Sequence, residues 1–227
     1  MSGRKKSPSA GRKRILILDD HPMMREGLAQ LIGNETDLTV CGEAENANEA
    51  IDKINTLKPD LLLADITLPG KNGLELIKDV QALQPGLAVL VISMHDESLY
   101  TERVLRAGGR GYIMKQEGGR KLMLAIRQVL SGQIYVSEKM SAKILETFSG
   151  RRSDAVGSPV GKLTDREFEV FQLIGEGKAT KEIAAQLRLS AKTVEVHRLN
   201  IKRKLNLHTA AELIRYAVRW AEGQSTG

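Results

Sequence analysis

The residues best suited to chemistry stand at the ends of apolar runs. In "RILILDDHPMM", four apolar residues lead straight into two adjacent carboxylates, Asp19 and Asp20. Asp65 closes "LLLAD", Ser93 closes "LAVLVIS" and Lys115 follows "GYIM". Neighbouring carboxylates repel, so a chain that only turned here would use other residues. Taken singly, each has an ordinary reading. Asp20 before His-Pro is a favoured helix N-cap type, Asp65 in "DITLPGKNG" suits a turn, and Lys115 suits a surface. His21 and His95 lack a metal-ligand spacing and are read as structural or loop residues.

Those residues acquire a joint meaning from the elements that carry them. Strand-like runs at 14–18, 38–44, 60–64, 87–93 and 111–114 alternate with helix-like patterns at 22–32, 48–57, 73–83, 97–107 and 120–130. Pro22 suits a first helical turn, and Gly33, Gly108 and Gly132 suit helix exits. Several runs are continuously aliphatic, as expected of parallel strands buried on both faces. Fivefold alternation predicts an α/β, doubly wound, five-stranded parallel sheet, for which the flavodoxin-like order 2-1-3-4-5 is taken. Right-handed crossovers place every strand's C-terminal end on one edge. Asp19, Asp20 and Asp65 then converge, with Ser93 and Lys115 on the same edge. An oxygen-only cluster with room for waters suits Mg²⁺. The chemistry that fits is phosphoryl transfer to Asp65, giving an aspartyl phosphate, with the metal and Lys115 offsetting charge and Ser93 bonding the new oxygens.

Composition bounds the rest. The 227 residues can hold two domains, and with only 4% aromatic residues the cores must be aliphatic. One cysteine, Cys41, allows no internal disulfide, fits a reducing compartment and reads as a buried thiol. No apolar run approaches the ~20 residues of a membrane span. The N-terminus is basic without an apolar stretch, so it does not read as a secretory signal. The net charge of +6 is unevenly spread: residues 15–150 carry 14 basic and 19 acidic side chains, whereas 178–204 carry eight basic and two acidic. An acidic body joined to a basic region suggests a second domain that meets a polyanion.

The predicted organisation is a disordered basic arm at 1–13, a first domain at 14–132, a linker at 133–160 carrying a helix at 137–148, a four-helix domain at 161–222 and a tail at 223–227. "TDRE" at 164–167 and "TAAE" at 209–212 read as capping boxes. Helices at 181–187 and 191–205, separated by "RLS", form a helix-turn-helix. On a helical wheel, Val194, His197, Ile201 and Leu205 make a core stripe. Lys192, Glu195, Val196, Leu199, Lys202 and Arg203 fall on the other side. Apolar Val196 and Leu199 between cations suit a major groove better than open solvent. A last helix at 209–220 is expected to expose part of an apolar stripe (Leu213, Ala217, Trp220), the alternative being that the stripe simply closes the bundle.

Two resemblances sharpen this reading. "ILILDDHPMMREGLAQLI", "DITLPGKNG", "VLVISMHDE" and "GYIMK" resemble the receiver domain of NarL/FixJ response regulators. The resemblance implies phosphorylation at Asp65 by a sensor histidine kinase, a switch formed by Ser93 and Tyr112, and a functional Lys115. It implies Mg²⁺ bound directly by Asp20, Asp65 and the Thr67 carbonyl, and through water by Asp19, with Asp20 also capping the next helix. Gln116 departs from the proline common after this lysine. "LTDREFEVFQLIGEGKATKEIAAQLRLSAKTVEVHRLNIKRKL" is similar to the LuxR-type output domain. That implies base-edge contacts near Glu195, Val196 and Leu199, with Lys181, Lys192, Thr193, Arg198, Lys202 and Arg203 as candidate phosphate contacts, and homodimers on DNA through the last helix. The expectation is a non-enzymatic bacterial transcription regulator in the cytoplasm, switched by phosphorylation, with no membrane partner. Two alternatives remain: a regulator whose receiver only dimerises, and a Mg²⁺-dependent phosphohydrolase. The second lacks both a general acid at Thr67 and an insertion long enough for a substrate cap.

Overall fold

The computed structural model describes residues 11–68, 72–148 and 159–225. Residues 1–10 of the basic arm, Pro69 to Lys71, residues 149–158 of the expected linker and the last two residues of the tail lie outside them.

Five parallel strands, β1 (Lys13–Leu18), β2 (Leu38–Ala44), β3 (Leu61–Asp65), β4 (Ala88–Ser93) and β5 (Gly111–Met114), pair in the order β2-β1-β3-β4-β5. The connecting helices are α1 (Pro22–Gly33), α2 (Ala47–Leu57), α3 (Gly73–Leu83), α4 (Glu97–Arg106) and α5 (Gly118–Leu130). The predicted α/β order is therefore observed. Alternate side chains explain the unbroken aliphatic runs. Ile15, Ile17, Leu61, Leu63, Leu90 and Ile113 pack with α1 and α5 residues such as Leu28, Ile32, Leu122 and Ile126. Leu16, Leu18, Leu62, Val89 and Val91 pack with residues of α2, α3 and α4 on the opposite face. A strand covered on both faces has no polar side to alternate with.

Helix starts follow local chemistry. Asn46, Asn72 and Asp96 cap α2, α3 and α4 by accepting from Glu49, Leu74 and Ser98 backbone N–H groups. The α1 cap differs from expectation: His21, not Asp20, occupies the N-cap position, and its side chain makes no capping bond. Gly33 is the last residue of α1 rather than an exit, whereas Gly108 and Gly132 adopt positive φ as expected. Cys41 is half-buried against the core, and burial raises its thiol pKa.

The expected linker begins as part of the sheet. Tyr135 N–H donates to the Arg110 carbonyl and Tyr112 N–H donates to the Tyr135 carbonyl, covering the β5 edge. Gly111 permits this approach, since a Cβ there would lie 2.8 Å from the Tyr135 carbonyl oxygen. Then α6 (Glu138–Phe148) packs beside α4, with Met140 buried and Ser137 Oγ donating to Glu97 at 2.6 Å.

After a 3₁₀ turn at Pro159–Lys162, the second domain comprises α7 (Asp165–Gly175), α8 (Thr180–Gln186), α9 (Ala191–Leu205) and α10 (Ala210–Ser225). Both predicted capping boxes form, at Thr164–Glu167 and Thr209–Glu212. Leu213 and Ala217 are fully buried, and Trp220 packs edge-on against Phe168 and Phe171. The stripe is therefore covered at Leu213 and Ala217 and only partly at Trp220. It closes the bundle, because α7 supplies the aromatic surface it needs, and α10 instead exposes Ile214.

Candidate functional site

The acidic edge forms as the topology requires. Lys115 Nζ donates to Asp19 Oδ2 and to Asp65 Oδ2, each at 2.6 Å. All three side chains are nearly inaccessible: Lys115 is 5% exposed, Asp65 4% and Asp19 0%. Asp65 Oδ1 accepts from the Thr67 N–H at 2.9 Å. Gly73 lets α3 begin tight against this loop, because a Cβ there would meet the Ile66 carbonyl oxygen at 2.5 Å. Burial raises the Asp65 pKa, opposed by its bond to Lys115. Burial alone would lower the Lys115 pKa, but its two carboxylate bonds outweigh this and hold it above the usual lysine value.

Asp19 Oδ1 accepts from the His21 N–H at 2.9 Å. Donor atoms of Asp19, Asp20, His21 and Asp65 all lie within 4.8 Å of one another. His21 therefore belongs to this cluster, although its place in the sequence suggested a loop role alone. Its Nδ1 lies 2.8 Å from Asp20 Oδ1 and 3.2 Å from Asp19 Oδ1. The Asp20 contact lacks hydrogen-bond geometry, leaving that buried oxygen without a hydrogen-bond partner. Three convergent carboxylates, one with an unsatisfied oxygen, fit a hard divalent cation such as Mg²⁺.

Ser93 and Tyr112 meet through His95. Ser93 Oγ accepts from the His95 N–H at 3.2 Å, and the buried Tyr112 hydroxyl donates to the His95 carbonyl at 2.8 Å. Tyr112 stacks parallel to Tyr100 of α4, with centroids 6.5 Å apart. The Tyr100 hydroxyl donates to Gln172 of α7, and its ring meets Phe168 edge-on. A chain of contacts thus runs from the acidic edge into the second domain. Tyr100 and Gln172 carried no signal in the sequence, since a lone Tyr on a helix usually reads as core.

On α9, Val194, Ile201 and Leu205 are buried and His197 is half-buried, as the wheel predicts. Val196 is 50% exposed and Leu199 61%. Lys181, Lys192, Glu195 and Arg203 are exposed, while Thr193 and Lys202 are partly so. Thr193 Oγ1 shares a hydrogen bond with Ser190 Oγ at 2.7 Å. Arg198 turns inward, donating to Thr180 Oγ1 at 3.2 Å beside Glu195. This arrangement leaves an apolar and cationic surface of groove-reading type facing solvent.

Acidic pocket and basic helix occupy separate domains of one chain, and that pairing defines the class: a response regulator, in which a receiver governs a DNA-binding output domain. Residues 15–127 match the response regulator receiver domain, and residues 161–217 match the bacterial regulatory proteins of the luxR family. The chain belongs to the NarL/FixJ-type response regulators with a LuxR-type helix-turn-helix. It is 35% identical over 210 residues to the oxygen regulatory protein NreC of Staphylococcus haemolyticus (strain JCSC1435), covering 91% of this chain and 97% of the relative. NreC of Staphylococcus carnosus (strain TM300) is 34% identical with the same coverage. Among solved structures, the RcsB response regulator of Salmonella typhimurium matches with a TM-score of 0.67 at 25% identity, covering 92% of this chain and 98% of that one. RcsB of Salmonella enterica serovar Typhimurium, bound to promoter rprA in the presence of phosphomimetic BeF3-, matches with a TM-score of 0.63 at 25% identity, covering 92% and 99%. No helix among the described residues is long and apolar enough to cross a membrane.

Proposed function

We propose that this regulator accepts a phosphoryl group on Asp65 from the phosphohistidine of a sensor histidine kinase and thereby alters transcription from DNA bound by α9. The observation that carries it is the Lys115 ammonium bridging Asp19 and Asp65 beside an Asp20 oxygen that accepts no hydrogen bond. Asp20, Asp65 and the Thr67 carbonyl would hold Mg²⁺, with Asp19 behind them. Bound there, Mg²⁺ supplies charge neutralisation for the phosphoryl oxygens.

An Asp65 oxygen attacks phosphorus, the P–N bond breaks, and the electron pair leaves with the donor imidazole. Lys115 stays within reach of the added charge, and Ser93 turns its hydroxyl toward the phosphoryl oxygens. That movement takes its oxygen from the His95 N–H and loosens the His95–Tyr112 link. Tyr100 then shifts against Gln172 and Phe168, releasing the output domain to pair with a second copy on DNA. Lys181, Lys192, Thr193, Lys202 and Arg203 are assigned to phosphates, and Glu195, Val196 and Leu199 to base edges. Arg198 is assigned first to holding Thr180 and Glu195 in place.

Incubation of wild type and Asp65→Asn with an acyl phosphate and Mg²⁺ tests the assignment. Wild type should take up one phosphate and the variant none; equal incorporation refutes it. The exposure of Val196 and Leu199 while the domains are docked favours a second reading, in which DNA binding needs no phosphorylation. That reading requires equal DNA affinity for Asp65→Asn and phosphorylated wild type.

A further inference from the structure

We infer that Arg25 is a positioning residue for the acidic pair, fixing the peptide that joins Asp19 to Asp20. This deepens the phosphoacceptor reading above and rests on it. Arg25 lies in the first turns of α1, yet its side chain is only 10% exposed. Arginine is rarely buried so deeply without partners. Here Nη1 donates to the Asp19 carbonyl oxygen at 2.7 Å, Nη2 donates to Glu45 Oε1 at 2.8 Å, and Nε lies 3.5 Å from Glu43 Oε2. One guanidinium therefore ties α1 to the chain leaving β1 and to the end of β2.

The identity of the bonded atom decides the role. The Asp19 carbonyl belongs to the same rigid peptide plane as the Asp20 nitrogen. Rotation of that plane changes ψ of Asp19 and φ of Asp20, swinging the Asp20 carboxylate away from Asp19 and Asp65. Arg25 makes no bond to either carboxylate: Asp19 is held by Lys115 and His21, and Asp20 Oδ1 has no hydrogen-bond partner, only the His21 ring 2.8 Å away. Nor does the α1 N-cap hold the turn, since the His21 side chain makes no capping bond. The rigid fork of guanidinium suits a carbonyl on one side and a carboxylate on the other; an ammonium concentrates its donors at one point. Groups that orient metal ligands from behind typically change metal affinity by about 10–100-fold when removed.

The test uses the full chain and two measurements: Mg²⁺ binding by calorimetry, and phosphorylation rate by an acyl phosphate across a Mg²⁺ series. Arg25→Met should raise half-saturating Mg²⁺ in both by about tenfold. Its rate at saturating Mg²⁺ should remain within about twofold of wild type. Arg25→Lys should fall between the two, and it is judged by the same criterion if Arg25→Met does not fold. A folded variant with a lower melting temperature but wild-type Mg²⁺ half-saturation makes Arg25 merely structural and overturns the inference. Wild type that takes up neither Mg²⁺ nor phosphate removes the parent reading instead, so the two failures are distinguishable.

Discussion

Arg103 of α4 reaches across the domain boundary to Asp165 at the start of α7, with Nη1 3.1 Å from Oδ1. The same side chain donates to the carbonyls of Leu163 and Val160, and its guanidinium lies 4.2 Å from the Phe168 ring centre. Lys78 of α3 donates to the other Asp165 oxygen at 2.7 Å. Asp165 also sits in the first turn of α7, where the helix dipole favours negative charge. This polar clasp flanks the apolar contact of Tyr100 with Phe168, so α4 meets the second domain through both polar and aromatic contacts.

Arg103→Ala should therefore loosen docking without unfolding either domain. Charge-assisted bonds to partly buried partners contribute about 1.5–3 kcal/mol each, and their loss should populate an open form. Small-angle scattering should show a larger radius of gyration for the unphosphorylated variant. An unchanged radius would mean that the apolar contact alone holds the domains.

Lys115→Met should leave Asp19 and Asp65 buried without their shared cation. Breaking a buried ion pair from one side costs about 3–5 kcal/mol. The variant should melt lower than wild type in the absence of Mg²⁺, and added Mg²⁺ should raise its melting temperature more than that of wild type. Identical Mg²⁺ responses would mean that the ammonium and the metal do not share these carboxylates.

Lys192→Ala and Arg203→Ala should weaken binding to all DNA sequences and reduce the salt slope by about one phosphate contact each. Val196→Ala and Leu199→Ala should instead change base preference, because apolar groups touch base edges rather than phosphates. Arg198→Ala should lower the melting temperature of the protein, since its bond to Thr180 lies within the domain. If the lysine and arginine variants bind DNA as wild type does, α9 presents only a solvated face.

Acidification should destabilise the fold through two half-buried histidines, His95 and His197. Burial lowers the His197 pKa, with Arg166 acting the same way and Glu167 and Glu75 opposing; burial likewise lowers the His95 pKa. The unfolded chain takes these protons first, at an ordinary histidine pKa of about 6.5. Their stabilising contribution is therefore full above that value and is lost as pH falls from there toward the depressed folded values. His197→Gln should flatten the melting-temperature profile between about pH 7.5 and pH 5.5. A profile identical to wild type would remove His197 from the account.

Much of the site was legible because alternation of strands and helices implies a parallel sheet, and alternation is a local property of the chain. Asp19, Asp20, Asp65, Ser93 and Lys115 each follow an apolar run, so a parallel sheet had to gather them. The partners were not legible in the same way. His21 looked like a loop residue, and only the turn after β1 folds its ring back onto the carboxylates. How far Leu213, Ala217 and Trp220 are covered was left open, because periodicity reveals an apolar face but not what covers it.

The sequence by itself determined the alternation of strands and helices, the acidic edge and the exposed apolar and cationic face of α9. Hydrophobic period, capping residues and charge are written within a few residues of where they act. Tertiary structure alone decided that α4 grips α7, that 134–135 seals the β5 edge and that Arg25 stands behind the Asp19–Asp20 peptide. Lys78 and Asp165 are 87 residues apart, and Tyr100 and Gln172 are 72 apart. Such pairs are chosen by which surfaces remain to be buried once each domain has folded, and no local pattern carries that information.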